Sequence, residues 1–396
     1  MQSEGLIPRD VQAQRAGGFS VPSRTIRKVT MLGLRGIPGV QGGVEKHVEM
    51  LAGMLASKGW EIEVLGRRRY LRDTAGYHLS GIRVVSLWAP RRMALEALFH
   101  TFIGVFYAAV RRPDILHIHA VGPALMVPLA RLFCLKVLVT HHGYDYDRQK
   151  WGRFAKAVLK LGERFGMRFS HGRIAVSRDI ARTMKTRHGV SVDFVPNGVA
   201  VLPGATLTGI LEELQLRPRR YILLVARFVP EKRQTDLIKA FARLGDPSLQ
   251  LVLVGDAEFK SPYACEAKRL AEETPGVVLA GFQTGDRLAE IFANAGLFVL
   301  PSSHEGMPIA LLEAMAYGLP VLASDIVPNM ELGLAAESYF PLGDVGVLAE
   351  AIARKMEAPP GEDEMRCNAA EAAIAYSWSS VANRTDAIYR AVLGER

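Results

Sequence analysis

Cysteine is scarce. The 396 residues hold three, Cys134, Cys265 and Cys367, far apart and in neither metal-binding nor redox spacing. That excludes a disulfide framework and fits a reducing cytoplasm. A secretory leader is also missing: residues 1–25 are polar and glycine-containing, without the apolar core of a signal peptide, and are expected to form a mobile tail. Apolar runs long enough to span a bilayer are lacking. Met93 to Val110 comes nearest, bracketed by Arg91-Arg92 and Arg111-Arg112, but Glu96, His100 and Gly104 interrupt it and the strand-like PDILHIH follows. The pattern predicts a core helix of a large domain. Aromatic residues make up only 8%, and no stacking platform accompanies the basic segments, which argues against nucleic acid as a partner.

What is present suffices for two separate cores, with 49% of 396 residues hydrophobic. The net charge of +9 hides an asymmetry: residues 1–200 carry 31 Lys/Arg against 14 Asp/Glu, the remainder 18 against 26. A basic first half suits an anionic surface, membrane phospholipid ahead of nucleic acid, or is a solvated face.

From Ile26 the chain reads as strand (IRKVTMLGL), glycine-rich loop (Arg35 to Gly43), helix (Val44 to Lys58) and strand (EIEVLG). A βαβ opening of this kind predicts a parallel, doubly wound sheet. The loop brings four glycines between strand and helix, where backbone N–H groups approach a diphosphate. It is a poor dinucleotide fingerprint, since Gly33, Gly36 and Gly39 depart from G-x-G-x-x-G and Arg67-Arg68-Arg69 stand where a ribose-binding acid belongs. An NADP-type ligand is left only those arginines.

The strand Asp114 to His119 places His117 and His119 on one face, His119 at the carboxyl end where open α/β sheets bind ligands. Asp145-Tyr146-Asp147 has the form of a metal-binding D-x-D, a frequent pattern that is discounted here. Trp151 to Phe169 predicts an amphipathic helix with Lys156, Lys160, Arg164 and Arg168 at four-residue intervals, either an ordinary surface helix or one resting on an anionic bilayer. Near residue 200 the alternation restarts and predicts a second doubly wound sheet. Arg227 and Lys232 follow its first strand, suited to neutralising a diphosphate.

Residues Pro301 to Asp325 (PSSHEGMPIALLEAMAYGLPVLASD) organise the rest. An apolar strand, Gly296 to Leu300, leads through a loop into a helix that starts near Pro308 and stops at Gly318. Its N-terminus faces the loop, where a phosphate is the natural occupant. Glu305 lies in that loop. Glu313 sits mid-helix among apolar residues, an expensive place for a carboxylate unless hydroxyls meet it.

This segment resembles the E-x7-E signature of glycosyltransferase family 4, with Glu305 and Glu313 in the two acid positions. Gly42-Gly43-Val44 resembles the family's N-terminal glycine loop, Arg227 and Lys232 its diphosphate-gripping pair, and HIHAVGPALMVPLARL with VLVTHHGYDYDRQKW a rhamnosyltransferase-like subgroup. The resemblance covers roughly Ile26 to Leu393. It implies an α/β fold of two Rossmann-like doubly wound domains facing a cleft (GT-B): residues 26–200 on the acceptor side, 201–377 binding a nucleotide sugar, and 378–396 a closing helix packed back on the first domain. It further implies hexosyl transfer with retention, without a metal, from a UDP- or GDP-linked sugar to a glycan or lipid-linked acceptor. Surface polysaccharide assembly at the cytoplasmic side, in peripheral contact with the membrane, would be the setting. By the same resemblance Glu305, Gly306, Met307, Pro308 and Ile309 would hold the donor, Glu313 its ribose, and His119 the reacting edge. Two alternatives stay open: a nucleotide-sugar epimerase on the same fold, or a non-catalytic membrane- or NADP-binding protein.

Overall fold

The computed structural model describes residues 27–90, 93–148, 151–199, 207–257 and 261–395, so the expected N-terminal tail lies outside the described residues. Two sheets form in succession. The first comprises β1 (Lys28–Leu32), β2 (Glu61–Arg67), β3 (Tyr77–Leu79), β4 (Ile82–Leu87), β5 (Ile115–His119), β6 (Val137–His141), β7 (Gly172–Ala175) and β8 (Asp193–Phe194), in the order β3-β4-β2-β1-β5-β6-β7-β8. All pairs are parallel except β3 with β4. The second comprises β9 (Tyr221–Val225), β10 (Gln250–Val254), β11 (Val277–Gly281), β12 (Leu297–Leu300), β13 (Val321–Ser324) and β14 (Tyr339–Phe340), all parallel in the order β11-β10-β9-β12-β13-β14.

Nearly continuous apolar strands such as VLVTH and LFVL are buried along their whole length because helices cover both faces of each sheet. In the first sheet, Val29, Ile62 and Val64 pack under the helix Gly43–Ser57, while Leu32, Leu65 and Ile118 face the opposite layer, which includes Met167. The last helix, Trp378–Leu393, joins the first of these cores through Trp378, Val381 and Tyr389. Polar ties fix it there: Trp60 Nε1 donates to Asp386 at 2.7 Å, and Tyr389 Oη lies 2.7 Å from His117 Nδ1.

The strand order reverses between β1 and β5 in one sheet and between β9 and β12 in the other. At each reversal the connecting loops diverge and leave a crevice at the carboxyl ends. The two crevices face each other. The helix Met93–Arg111 differs from the expected core helix. Glu96, His100, Thr101, Val105 and Ala108 are buried, but Leu95, Phe99, Phe102, Phe106 and Val110 are exposed, because the helix lies on the sheet with one face outward.

Candidate active site

Five segments meet where the crevices face each other. From the second sheet come the segment after β9, carrying Arg227 and Lys232, and the segment after β12, carrying Ser302 to Pro308. The latter opens the helix Ile309–Ala316, with Pro308 at its N-cap and Gly318 (φ 68°) just beyond its end. Lys232 Nζ lies 2.5 Å from Glu305 Oε1, with both side chains mostly buried. Gly306 touches the other domain: a Cβ there would lie 1.8 Å from the His142 carbonyl oxygen, so only glycine lets the two backbones meet. Met307 is gripped from across the cleft, its carbonyl accepting from Asn197 Nδ2 at 2.8 Å. Ile309, the first residue of the helix, is buried.

Glu313 is half-buried. Burial raises its pKa above the ordinary carboxylate value, and the charge of Lys46 across the cleft offsets part of this. Among the described residues its carboxylate makes no hydrogen bond or ion pair. Such a group awaits hydroxyl donors.

From the first sheet come the glycine loop and the ends of β5 and β6. Gly42 (φ 153°) permits a turn that a side chain would block, for a Cβ there would fall 2.1 Å from Glu45 Oε2 and 2.5 Å from Arg35 Nη2. Arg35 Nε donates to Glu45 Oε1 at 2.9 Å. Burial alone would raise the Glu45 carboxyl, but Arg35 and, across the cleft, Arg227 hold it down to about 2. Gly43 and Val44 form the first turn of the helix that follows, Val44 packing on the core. The loop therefore shapes the cleft wall and carries charge toward Arg227.

His119 ends β5 fully buried, its Nδ1 3.1 Å from His142 Nε2. His47 stands beside both, with nitrogens of the three rings within 4.8 Å of one another, near enough to share a cation. Asn197 fixes one tautomer: its Nδ2 donates to Met307, so its Oδ1 accepts from His47 Nδ1 at 2.9 Å and leaves His47 Nε2 a lone pair. Burial pushes His47 down to about 4 and His119 and His142 well below the ordinary imidazole value, so all three are neutral at pH 7. His119 Nε2 is buried without a partner. A neutral imidazole in this position is equipped to bond a ligand hydroxyl.

The structure thus brings together His119, Arg227, Lys232, Glu305 to Ile309 and Glu313, with the loop of Gly42, Gly43 and Val44 beside them. His47, His142, Lys46 and Asn197 are additions. A histidine one helical turn inside the helix that follows the glycine loop, and the Asn of PNG after β8, are the sequence signals that mark two of them. The D-x-D pattern is engaged elsewhere, Asp145 pairing with Arg148 at 2.9 Å and Tyr146 Oη donating to Glu163 at 2.8 Å. Arg67 and Arg69 turn toward Glu96, at 3.6 and 3.5 Å.

Residues 212–374 match the model of glycosyl transferases group 1, and residues 41–201 that of Glycosyltransferase Family 4. The chain is a two-domain GT-B glycosyltransferase. Over 205 residues it is 33% identical to the putative glycosyltransferase EpsF of Bacillus subtilis, an alignment spanning about half of each chain. It is 26% identical to the phosphatidyl-myo-inositol mannosyltransferase of Mycobacterium leprae over 373 residues, 89% of this chain and 94% of the relative. The Anabaena Alr3699/HepE structure, solved in complex with UDP and glucose, superimposes with a TM-score of 0.74 at 18% identity, covering 92% of this glycosyltransferase and all of that chain.

Proposed function

We propose that this glycosyltransferase moves a hexosyl group, with retention of configuration, from a UDP- or GDP-linked sugar to a glycan or lipid-linked acceptor in polysaccharide or glycolipid assembly. What supports this reading is the Lys232–Glu305 pair in the loop that opens helix Ile309–Ala316, together with the charge of Arg227 acting on Glu45 from across the cleft and the unpartnered Nε2 of His119. Two cations and a helix terminus stabilise a departing diphosphate without a metal. Glu305 and His119 orient sugar hydroxyls, and Glu313 takes the ribose. No side chain in the cleft is assigned as covalent nucleophile; the leaving phosphate oxygen receives the acceptor proton during attack on the same face. The UDP and glucose in the HepE complex and the lipid acceptor named in the mannosyltransferase support donor and acceptor classes.

Thermal stabilisation by UDP, GDP, dTDP and NADPH, on wild type and Glu313→Ala, tests the reading by mass action. One nucleoside diphosphate should raise the transition temperature, and the shift should vanish in the variant. A shift with NADPH alone, or with none of the four, overturns it.

Peripheral membrane contact belongs to the same proposal. Of the expected stripe, Lys160, Arg164 and Arg168 are exposed and Lys156 is half-buried, with Phe154, Leu161 and Phe169 exposed among them. The exposed apolar face of helix Met93–Arg111 lies on the same side, linked through Val127–Leu132, and the acids of these helices, Glu96 and Glu163, are both buried. Helices that expose cations and aromatics while their own acids are buried suit an anionic bilayer. Charge reversal at Lys160, Arg164 and Arg168 should release the protein from phosphatidylglycerol vesicles; unchanged sedimentation would refute the contact.

A further inference from the structure

Histidines crowd the carboxyl ends of β5 and β6 and the helix Gly43–Ser57, and they fall into two groups. His117 is satisfied at both ring nitrogens, with Tyr389 Oη 2.7 Å from Nδ1 and Thr140 Oγ1 2.7 Å from Nε2. His141 is engaged likewise, its Nε2 3.2 Å from Glu163 Oε2 and its Nδ1 accepting from the Gly143 N–H at 3.2 Å. Where a buried imidazole has only to pack, this fold completes it. His47, His119 and His142 are different. His119 Nε2 is buried without a partner, and among the described residues His47 Nε2 and His142 Nδ1 make no hydrogen bond.

These three incomplete rings converge, one nitrogen of each lying within 4.8 Å of the other two. Tetrahedral zinc, with Zn–N bonds of about 2.0–2.1 Å, draws its ligand nitrogens to about 3.3 Å. His142, the only half-buried ring of the three, has the room to turn inward. Asn197 already orients His47, accepting its Nδ1–H and leaving the Nε2 lone pair toward the other rings, as an outer partner does for a metal-bound imidazole. Burial keeps all three neutral at pH 7, so no proton competes with a metal. A set made of imidazoles alone suits zinc, copper or nickel, and lacks the oxygen ligands that magnesium and calcium need. The cluster is reached from the cleft, for the His142 backbone abuts Gly306 of the donor loop. A water bridging the rings is the competing occupant.

We propose that His47, His119 and His142 form a binding site for a divalent transition metal of the zinc class, and that the bound ion blocks transfer. The ion takes no part in the reaction. It occupies the lone pairs that His119 and its neighbours would offer to sugar hydroxyls and sets a double charge at the reacting edge. Metal binding stands on the three rings alone; the blocking rests on the glycosyltransferase reading above.

The full chain, stripped of metal with EDTA, is titrated with CoCl₂ and, by calorimetry, with ZnCl₂. Wild type should take up a single equivalent of each, the cobalt form showing the intense visible absorption of a tetrahedral ion. His142→Ala and His47→Ala should bind about a hundredfold more weakly, and Asn197→Ala about tenfold. His78→Ala, which removes an exposed histidine of the edge strand β3, should bind as wild type does. Circular dichroism checks that each variant folds; if His47→Ala does not, the half-buried His142 carries the comparison. No saturable uptake by wild type, the weak absorption of octahedral cobalt, or uptake unchanged in His142→Ala overturns the site and leaves water as its occupant. Transfer, measured with the donor that the nucleotide screen identifies, should fall at least about tenfold at saturating Zn²⁺ and return with EDTA. Undiminished transfer with metal bound overturns the blocking. Failure of wild type to respond to any nucleoside diphosphate, with cobalt still bound, strikes the donor reading instead.

Discussion

Lys232 Nζ and Glu305 Oε1 are 2.5 Å apart, so the cation assigned to the diphosphate and the acid assigned to the sugar neutralise each other. An arriving diphosphate competes with Glu305 for Lys232, and the freed carboxylate turns to the sugar hydroxyls. Lys232→Met should therefore weaken nucleoside diphosphate binding by about tenfold or more. Glu305→Gln should leave that binding intact or tighter, while transfer falls by roughly a hundredfold to a thousandfold. Calorimetric titration alongside initial rates separates the two. If Glu305→Gln loses nucleotide binding as Lys232→Met does, the pair only braces the loop.

Period and punctuation carried the architecture. Apolar strands ending in glycine loops, followed by amphipathic helices, announced both sheets, and the residues at their carboxyl ends proved to be those that meet. Short edge strands were harder to see: β3 and β4 form a hairpin that carries little alternation, with Ile82, Val84 and Leu87 of β4 buried, Arg83 exposed and Val85 and Ser86 half-buried. The glycine loop, Glu305 and His119 could be named because each stands at a strand end. His47 and Asn197 carry only a positional signal and His142 none, since their importance comes from contacts between segments far apart in the chain, such as His47 with Asn197. The exposed apolar face of Met93–Arg111 was hidden for a related reason. A hydrophobic helix reads alike whether its second face meets protein or something else.

Glu313 should show a conflict between stability and binding. Its folded pKa is raised by burial, so its favourable contribution is complete below the unfolded value near 4.5 and is lost as pH rises through the folded value. At pH 7 the ionised group is a burden on the ligand-free protein. Glu313→Gln should melt roughly 2 °C higher at pH 7, gain nothing at pH 4, and lose the nucleotide-induced shift. A lower melting temperature at pH 7 would mean that the carboxylate already has a stabilising partner.

Gly306→Ala should open the enzyme. The added methyl would meet the His142 carbonyl oxygen at 1.8 Å and its carbon at 2.7 Å, backbone atoms that no rotamer change can move. Relief requires the two domains to separate, carrying Glu305 and Lys232 away from His119. Transfer should fall on the order of a hundredfold, and the radius of gyration from solution scattering should rise. Wild-type activity with an unchanged radius would show that this contact does not set the domain distance.

Acid should destabilise the protein in a window set by its buried histidines. Burial lowers His47 to about 4, burial with the charge of Arg67 lowers His100 to about 3, and His119 and His142 lie well below the ordinary 6.5. Because each folded value is depressed, the unfolded chain binds more protons between the two values. Stability is then complete above about pH 6.5 and drains as pH falls toward 4, by up to roughly 1.4 kcal/mol per pH unit for each histidine. Glu45, held at about 2, adds its own loss only below about pH 4.5, so the windows separate. Denaturant midpoints at pH 7.5, 6.5, 5.5 and 4.5 should trace this decline, and His100→Asn should reduce its slope. Nucleoside diphosphate should steepen nothing above pH 6.5, because the imidazoles are already neutral there. A midpoint that stays level down to pH 5 would place these rings in contact with solvent and remove the basis for a neutral His119 at the reacting edge.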